Sequence, residues 1–427
     1  MTSDLAAVVM AAGLGTRMRS ATPKHLHTLL GRRIVDWVLE AARPLAAEPL
    51  VVVCSPESRD AFAGLETAVQ ERPLGTGDAV RSARAALAGH AGDVLVLSGD
   101  TPLLTTSLLR DLLDTHRREQ VAATVLAFSP ADTRAYGRIV RDRDGRLRAI
   151  VEAVDATPAQ LEIREVNSSI YVFRDEKLWS ALERLEPKNV QGELYLTDVV
   201  RHLVDDGASV AVHEAPDPLE TEGVNTRVEL ARAAAALRDR INEAHMLAGV
   251  TIVDPQSTWI DAEVELEPDV TIHPFTVIRG DVRIASGAEL GPFAYVRPGT
   301  VVGERVKIGT FVEVKKSTIG AGAKIPHLSY IGDAEIGEGT NIGASNVTAN
   351  FGHRPGPKKR TTIGRNVRTG VDNTFVAPVS VADDAWLAAG TVITDDVPPG
   401  SLAGFPPRQV TKEGYVYDKH GKRSSDD

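Results

Sequence analysis

From Ile260 onward a branched aliphatic residue returns every six positions, a period that belongs neither to a helix nor to a simple alternating strand. The run is Ile260, Leu266, Ile272, Ile278, Ile284, Leu290, Val296, Val302, Ile308 and Val314. After a one-residue slip it resumes at Ile319, Ile325 and Ile331, then Ile336 and Ile342, and it returns at Val381, Leu387 and Ile393. A chain written this way is expected to form a hexapeptide β-helix. One aliphatic from each short strand points to the axis of a prism, and each coil buries the next. Such a coil can be no more than a spacer or an oligomerisation stalk, so its chemistry must be sought in residues that interrupt the pattern.

The first half has a different grammar. Leu5–Ala12, Pro49–Val53 and Val94–Ser98 read as buried strands, and Arg33–Arg43, Gly77–Ala88 and Ser107–Glu119 as amphipathic helices, the first stopped by Pro44. Alternation of this kind predicts an α/β domain with a mostly parallel sheet covered by helices, with ligands outside the carboxyl ends of the strands. Arg227–Met246 is alanine-rich, charged and free of glycine and proline, the composition of a long connecting helix. The expected domains are therefore 1–226, a linker helix over 227–248, the β-helix over 249–411 and a polar tail over 412–427.

Bulk properties exclude some classes. A net charge of −10 speaks against a nucleic-acid partner, although it leaves room for a basic pocket that takes phosphate. The single Cys54 rules out an internal disulfide framework and a cysteine zinc cluster, and suits a reducing cytoplasm. The apolar run Leu5–Ala12 is too short to cross a membrane, so no membrane partner is expected.

The first strand runs into Ala11-Ala12-Gly13-Leu14-Gly15-Thr16-Arg17-Met18, followed by Pro23-Lys24. Glycines at 13 and 15 let backbone N–H groups approach a triphosphate, while Arg17 and Lys24 can offset its charge. Met18 stands where a dinucleotide fingerprint needs its third glycine, and the loop is not a Walker A motif. Asp100 ends the strand Val94–Ser98 after Gly99, where a carboxylate can take Mg²⁺; it is also suited to open the turn before Pro102.

With GxGTRM followed by PK, the chain resembles the sugar-1-phosphate nucleotidyltransferases. Combined with the hexapeptide half, it is similar to the bifunctional N-acetylglucosamine-1-phosphate uridyltransferase/glucosamine-1-phosphate acetyltransferase family over residues 5–413. The resemblance implies a left-handed β-helix, a homotrimer, and four substrates: UTP, N-acetylglucosamine-1-phosphate, glucosamine-1-phosphate and acetyl-CoA. It further implies that Ala11, Ala12 and Gly13 hold the nucleotide, Lys24 and Arg17 stabilise its phosphates, and Gln70 with Gly75 and Thr76 reads the pyrimidine. Ser98 and Gly99 would line the same site, Asp100 and Asn225 would bind Mg²⁺, and Gly137, Glu152 and Asn167 would grip the acetylamino sugar. The chain departs from the family at Val154, where a lysine is usual.

Within the repeat, Arg297, Lys315 and His327-Leu328-Ser329-Tyr330 interrupt the aliphatic pattern with polar groups. Acetylation of an amine needs a base, and a neutral imidazole suits that task. The resemblance makes His327 that base, gives the sugar phosphate to Arg297, Lys315 and Lys358, and the sugar to Tyr330 and Asn341. Ala344, Asn350, Phe351, Val371 and Ala389 match the coenzyme A groove. Departures gather here: Asn350-Phe351-Gly352-His353 replaces Asn-Tyr-Asp-Gly, Val371 replaces a serine and Pro406 an arginine, with Arg408 nearby. The basic stretch from His353 to Arg360 is either a substitute grip for the coenzyme phosphates or a solvated loop. Three readings remain open: a bifunctional enzyme, a nucleotidyltransferase whose coil serves another amino sugar or only trimerises, and a non-enzymatic regulator. An intact Lys24, Asp100 and Asn225 speaks against the last.

Overall fold

The computed structural model describes residues 4–13, 15–133, 136–352, 356–404 and 409–417. Two compact units divide at Leu237 and Arg238. The first is built on a mixed sheet whose strands are β1 (Leu5–Ala11), β2 (Leu50–Cys54), β3 (Glu66–Val69), β4 (Asp93–Ser98), β5 (Ala123–Phe128), β6 (Arg138–Arg141), β7 (Leu147–Val151), β8 (Val166–Arg174) and β9 (Val210–Glu214). The main path runs β9-β5-β8-β4-β1-β2-β3, with the β6–β7 hairpin attached beside β8. Along that path only β8 runs antiparallel to its neighbours.

β1 is buried along its whole length because apolar clusters cover both faces of the sheet. Val8, Val51, Val94 and Val125 face one cluster, while Val9, Val52, Leu95 and Leu126 face the other. A strand flanked on both sides must be apolar at every position, hence the unbroken run read from the sequence. Helix α1 (Ile34–Ala42) gives way at Arg43 to a tighter turn that contains Pro44. Helix α2 (Thr76–Ser82) stops earlier than expected: Ala83, Arg84 and Ala86 donate to carbonyls three residues back, so the chain tightens into turns towards Gly89. Helix α3 (Thr106–Glu119) begins on Thr105, whose hydroxyl accepts from the Leu108 N–H at 3.2 Å. No helix among the described residues is long and apolar enough to cross a membrane.

The second unit is a left-handed parallel β-helix. Its aliphatic repeat sorts into three ladders, one per face of the prism. Ile260, Ile278, Val296, Val314 and Ile331 are in register on one face, and Leu266, Ile284, Val302, Ile319 and Ile336 on the second. Ile272, Leu290, Ile308 and Ile325 stack on the third. Together they form one continuous core, with only Leu266 partly open. Neighbours along a strand point oppositely: Val302 is 1% exposed and Val301 44%. The period fails after Ile342, where an insertion separates the strands Val347–Ala349 and Thr361–Ile363 of two different faces, and Ile336 pairs with Ile363 across it.

Candidate active sites

The carboxyl ends of β1 and β4 lie side by side, with Met10 opposite Ser98, so the Gly13 loop and the Asp100 turn meet over the sheet. A cavity of about 450 Å³ opens there, lined by Ala12, Gly13, Lys24, Gln70, Gly75, Thr76, Ser98 and Asp100 among others. Ala11 and Gly99 lie behind this lining, the Gly99 N–H donating to the Met10 carbonyl at 2.9 Å. Gly15 has φ +60°, and a Cβ on it would stand 2.5 Å from that of Lys24. The glycine is what lets Lys24 come up under the loop. Leu14 lies outside the described residues.

Five side chains from three separate stretches of the sequence converge at the head of the cavity. The Lys24 ammonium lies 2.5 Å from Asp100 Oδ2 and donates to Asn225 Oδ1 at 3.0 Å. Arg17 donates to the same Asn225 oxygen at 2.9 Å, and Ser98 donates its hydroxyl to Asp100 Oδ1 at 2.6 Å. Burial works to raise the Asp100 carboxyl, but the Lys24 charge and the hydrogen bonds from Lys24 and Ser98 overcome it and hold the group at about 2. Asn225 is fixed by its backbone. Its N–H donates to Glu229 Oε2 at 2.7 Å in the first turn of α4 (Arg227–Leu247), and the preceding Val224 N–H donates to the Asp100 carbonyl at 2.8 Å.

One cation, the Lys24 ammonium, therefore already bridges Asp100 and Asn225. These two oxygens are the donors a hard divalent ion could use, with phosphate and water supplying the rest. Among the described residues no cluster of three or more His, Cys, Asp or Glu is shaped for a metal.

Along the side wall, Gln70 is buried and its amide donates to the Gly75 carbonyl and to Asp78, each at 3.0 Å. Gly75 has φ +114° and packs against the Leu194 carbonyl, and the Thr76 hydroxyl accepts from the Leu196 N–H at 3.0 Å. Gly137, Glu152 and Asn167 also meet. The Asn167 N–H donates to the Gly137 carbonyl at 2.9 Å, and a Cβ on Gly137 would stand 3.3 Å from Glu152 Oε2. Burial raises the Glu152 carboxyl, partly countered by the Thr197 hydroxyl donating at 3.3 Å. Val154 is exposed.

His25 escaped sequence reasoning. His25 is 4% exposed and lies against Gly13 and Gly99, its Nδ1 lacking a hydrogen-bond partner. Burial and then the Lys24 charge lower it to about 4, so it is a neutral ring in the cavity floor. Its only signal was its place directly after Pro23-Lys24.

On the coil, Arg297 pairs with Glu313 at 2.7 Å and lies over the Tyr295 ring. Tyr330 follows on the same face, in register with Glu313, and Lys315 pairs with Gly332. The Asn350 amide reaches Asp333 Oδ2 at 2.5 Å and Tyr330 Oη at 3.3 Å, while Lys358 stands 4.0 Å from Asp333. The Lys358 ammonium beside Lys315 lowers the latter's affinity for its proton, with Arg297 adding to the effect. His327 is exposed at the end of Lys324–His327, and the backbone of Asn341 bridges Lys324 on that face.

Of the residues matched to coenzyme A, three share one edge. The Asp372 N–H donates to the Ala344 carbonyl and the Gly390 N–H to the Val371 carbonyl, which brings Ala344, Val371 and Ala389 into line on successive coils. Asn350 joins the Tyr330 cluster at the other end of its strand, and Phe351 is 75% exposed beside it. His353, Arg354, Pro355, Pro406 and Arg408 lie outside the described residues.

Fold and geometry together define a nucleotidyltransferase domain followed by a hexapeptide-coil transferase. Residues 7–203 match the MobA-like NTP transferase domain and residues 278–392 the GMPPB C-terminal domain. The bifunctional protein GlmU of Mycobacterium bovis (strain BCG / Pasteur 1173P2) is 46% identical, the match spanning 97% of this chain and 93% of that protein. Those of Mycobacterium avium (strain 104) and Mycobacterium marinum (strain ATCC BAA-535 / M) are each 45% identical over 97% of this chain, covering 94% and 93% of their own lengths. The chain belongs to the GlmU family of bifunctional N-acetylglucosamine-1-phosphate uridyltransferases and glucosamine-1-phosphate acetyltransferases.

Proposed function

We propose that residues 1–226 transfer UMP from UTP to N-acetylglucosamine-1-phosphate, and that residues 249–411 acetylate glucosamine-1-phosphate with acetyl-CoA, with 227–248 joining them and 412–427 a tail. The observation that carries the first half is the convergence of Lys24, Arg17, Asp100 and Asn225 at the head of the cavity. A phosphate oxygen of the sugar attacks the α-phosphorus of UTP, a new P–O bond forms and pyrophosphate leaves. Lys24 and Arg17 stabilise charge on the phosphoryl oxygens. Asp100 and Asn225 would hold Mg²⁺, which supplies further charge neutralisation there. Ala11, Ala12, Gly13, Ser98 and Gly99 shape the nucleotide site, Gln70, Gly75 and Thr76 face the base, and Gly137, Glu152 and Asn167 the acetylamino sugar. A buried carboxyl with a raised proton affinity suits hydroxyl and amide donors of a sugar better than it suits phosphate.

In the coil, His327 takes the proton from the substrate ammonium, the freed amine attacks the thioester carbonyl, and the coenzyme thiolate leaves. Support for an anionic substrate comes from Arg297, Lys315 and Lys358, cations crowded closely enough that Lys358 and then Arg297 loosen the hold of Lys315 on its proton even with Glu313 and Asp333 nearby. Tyr330 and Asn341 would orient the sugar, and Ala344, Asn350, Phe351, Val371 and Ala389 the coenzyme. A homotrimer is supported by an exposed ladder of Phe275, Phe293 and Phe311, whose ring centroids stack at 4.8 and 5.2 Å. A cytoplasmic location is supported by the free, buried Cys54.

Pyrophosphate release from UTP and N-acetylglucosamine-1-phosphate, with and without Mg²⁺, tests the first activity, and dTTP in place of UTP tests the base. Titration of the full chain with acetyl-CoA and glucosamine-1-phosphate tests the second. Pyrophosphate release without any thiol release would favour the coil as a scaffold, the reading to which the lost hydroxyl at Phe351 gives weight.

A further inference from the structure

Ser169 has φ +62°, the left-handed region that glycine occupies freely and a serine occupies under strain. It sits where the pairing of β8 with β5 shifts register between Asn167 and Tyr171. From Val166 to Phe173 every residue is buried except Ser169, which opens into the cavity that holds Lys24, Ser98 and Asp100. The strain is locked in place by neighbours on both sides. The Ser169 N–H donates to Asn167 Oδ1 at 3.1 Å, and the Ser168 hydroxyl donates to the Leu126 carbonyl at 2.6 Å. Asn167 is itself held by a 2.7 Å bond from its amide to the Tyr171 hydroxyl.

The position is informative. Tyr171 pairs with Val96 in the antiparallel ladder, and continuing that register by two residues sets Ser169 opposite Ser98, the residue that hydrogen-bonds Asp100. Two residues the other way along β8 lies Asn167, at the sugar end. Ser169 thus stands between the group that handles the reacting phosphates and the group that faces the sugar. The base wall of Gln70, Gly75 and Thr76 belongs to other elements.

We infer that Ser169 is a substrate-binding residue for the sugar 1-phosphate, its hydroxyl hydrogen-bonding that substrate where sugar and phosphate join. The inference rests on the nucleotidyl-transfer reading above. A bulge that turned only the backbone would be served better by glycine. A strained serine, the one accessible residue between Val166 and Phe173, offers the entering substrate a hydroxyl that glycine could not, oriented by its own side-chain hydrogen bond with Tyr171.

Two variants separate the hydroxyl from the backbone. Ser169→Ala keeps the strain and removes the hydroxyl; Ser169→Gly removes both. In pyrophosphate-release kinetics with the full chain, both should raise KM for N-acetylglucosamine-1-phosphate about 3- to 10-fold, the worth of one neutral hydrogen bond. KM for UTP should stay within about twofold of the parent, and Ser169→Gly should melt at or above the parent temperature. An unchanged sugar-phosphate KM in both variants overturns the inference. So does an equal rise in both KM values, which marks a structural residue. A parent protein that turns over UTP with another sugar phosphate but not this one overturns the proposed substrate. Ser169 then stands or falls on the same KM comparison with the sugar phosphate that is used.

Discussion

Replacing Asp100 by Asn keeps the shape of the side chain and removes its charge from the Lys24 pair. The carboxyl is held at about 2 against an ordinary 3.8. At about 1.4 kcal/mol per unit, that shift corresponds to about 2 kcal/mol favouring the folded, ionised form. Because the folded group is the stronger acid, this contribution is fully present above about pH 4 and fades as pH falls towards 2. Asp100→Asn should therefore lower the stability of the first unit by about 2 kcal/mol at pH 7, and the gap between variant and parent should narrow below pH 4. Lys24, only 8% exposed, would then face Asn225 with no carboxylate beside it. The assays are urea unfolding at neutral and acidic pH, together with pyrophosphate release and acetyl transfer on the same preparation. The variant should lose pyrophosphate release and keep acetyl transfer. Unaltered stability and pyrophosphate release at pH 7 would mean that Asp100 only opens the turn before Pro102. Equal loss of both activities would mark it as structural.

Leu290 is fully buried between Ile272 and Ile308, so Leu290→Asp puts an unpaired charge in the coil core; acetyl transfer and the oligomer seen in sedimentation should be lost while part of the pyrophosphate release survives. His327→Ala should slow acetyl transfer by about 10²–10⁴ with little change in KM for acetyl-CoA, measured by thiol release. Gly15→Ala drives a methyl into Lys24 and strains a left-handed residue, so it should abolish pyrophosphate release and leave acetyl transfer at the parent rate.

Much of this architecture is legible in the sequence, for a definite reason. A β-helix repeats one burial rule at every rung, so Ile260 through Val314 announce it redundantly, and the three ladders only distribute what the period states. The buried strands of the first half declare themselves by continuous apolar runs. Less legible is anything decided by tertiary contact. Helix α2 ends at Ser82 although Arg84–Ala88 have good helical composition, because the chain tightens there into i to i+3 turns. Ser169 carries no signature at all, and His25 only its place after Pro23-Lys24. Burial of a histidine and a positive φ at a serine are set by what surrounds them, and one sequence shows neither. On the coil, the bonds from the Asn350 amide to Tyr330 and Asp333 join residues 20 and 17 positions apart, a contact that no repeat in the sequence announces.

The three-ladder geometry also limits how the second unit can change length. Removing a residue from within a strand would turn that strand's aliphatic away from the axis, much as a shifted reading frame garbles a codon. A residue dropped at a corner is absorbed: Val314 to Ile319 and Ile331 to Ile336 are only five apart, yet the ladders stay in register. Material can be added or lost harmlessly as a full turn of the prism or at a corner, as a deletion or an outgrowth, where no ladder is interrupted. The insertion between Ala349 and Thr361 is such an outgrowth: Val347 still pairs with Thr374 and Ile336 with Ile363 across it. The corner that tolerates novelty is also the one that carries Lys358 to Asp333. Changes in the second site can therefore accumulate there, rung by rung independent of the fold that supports them.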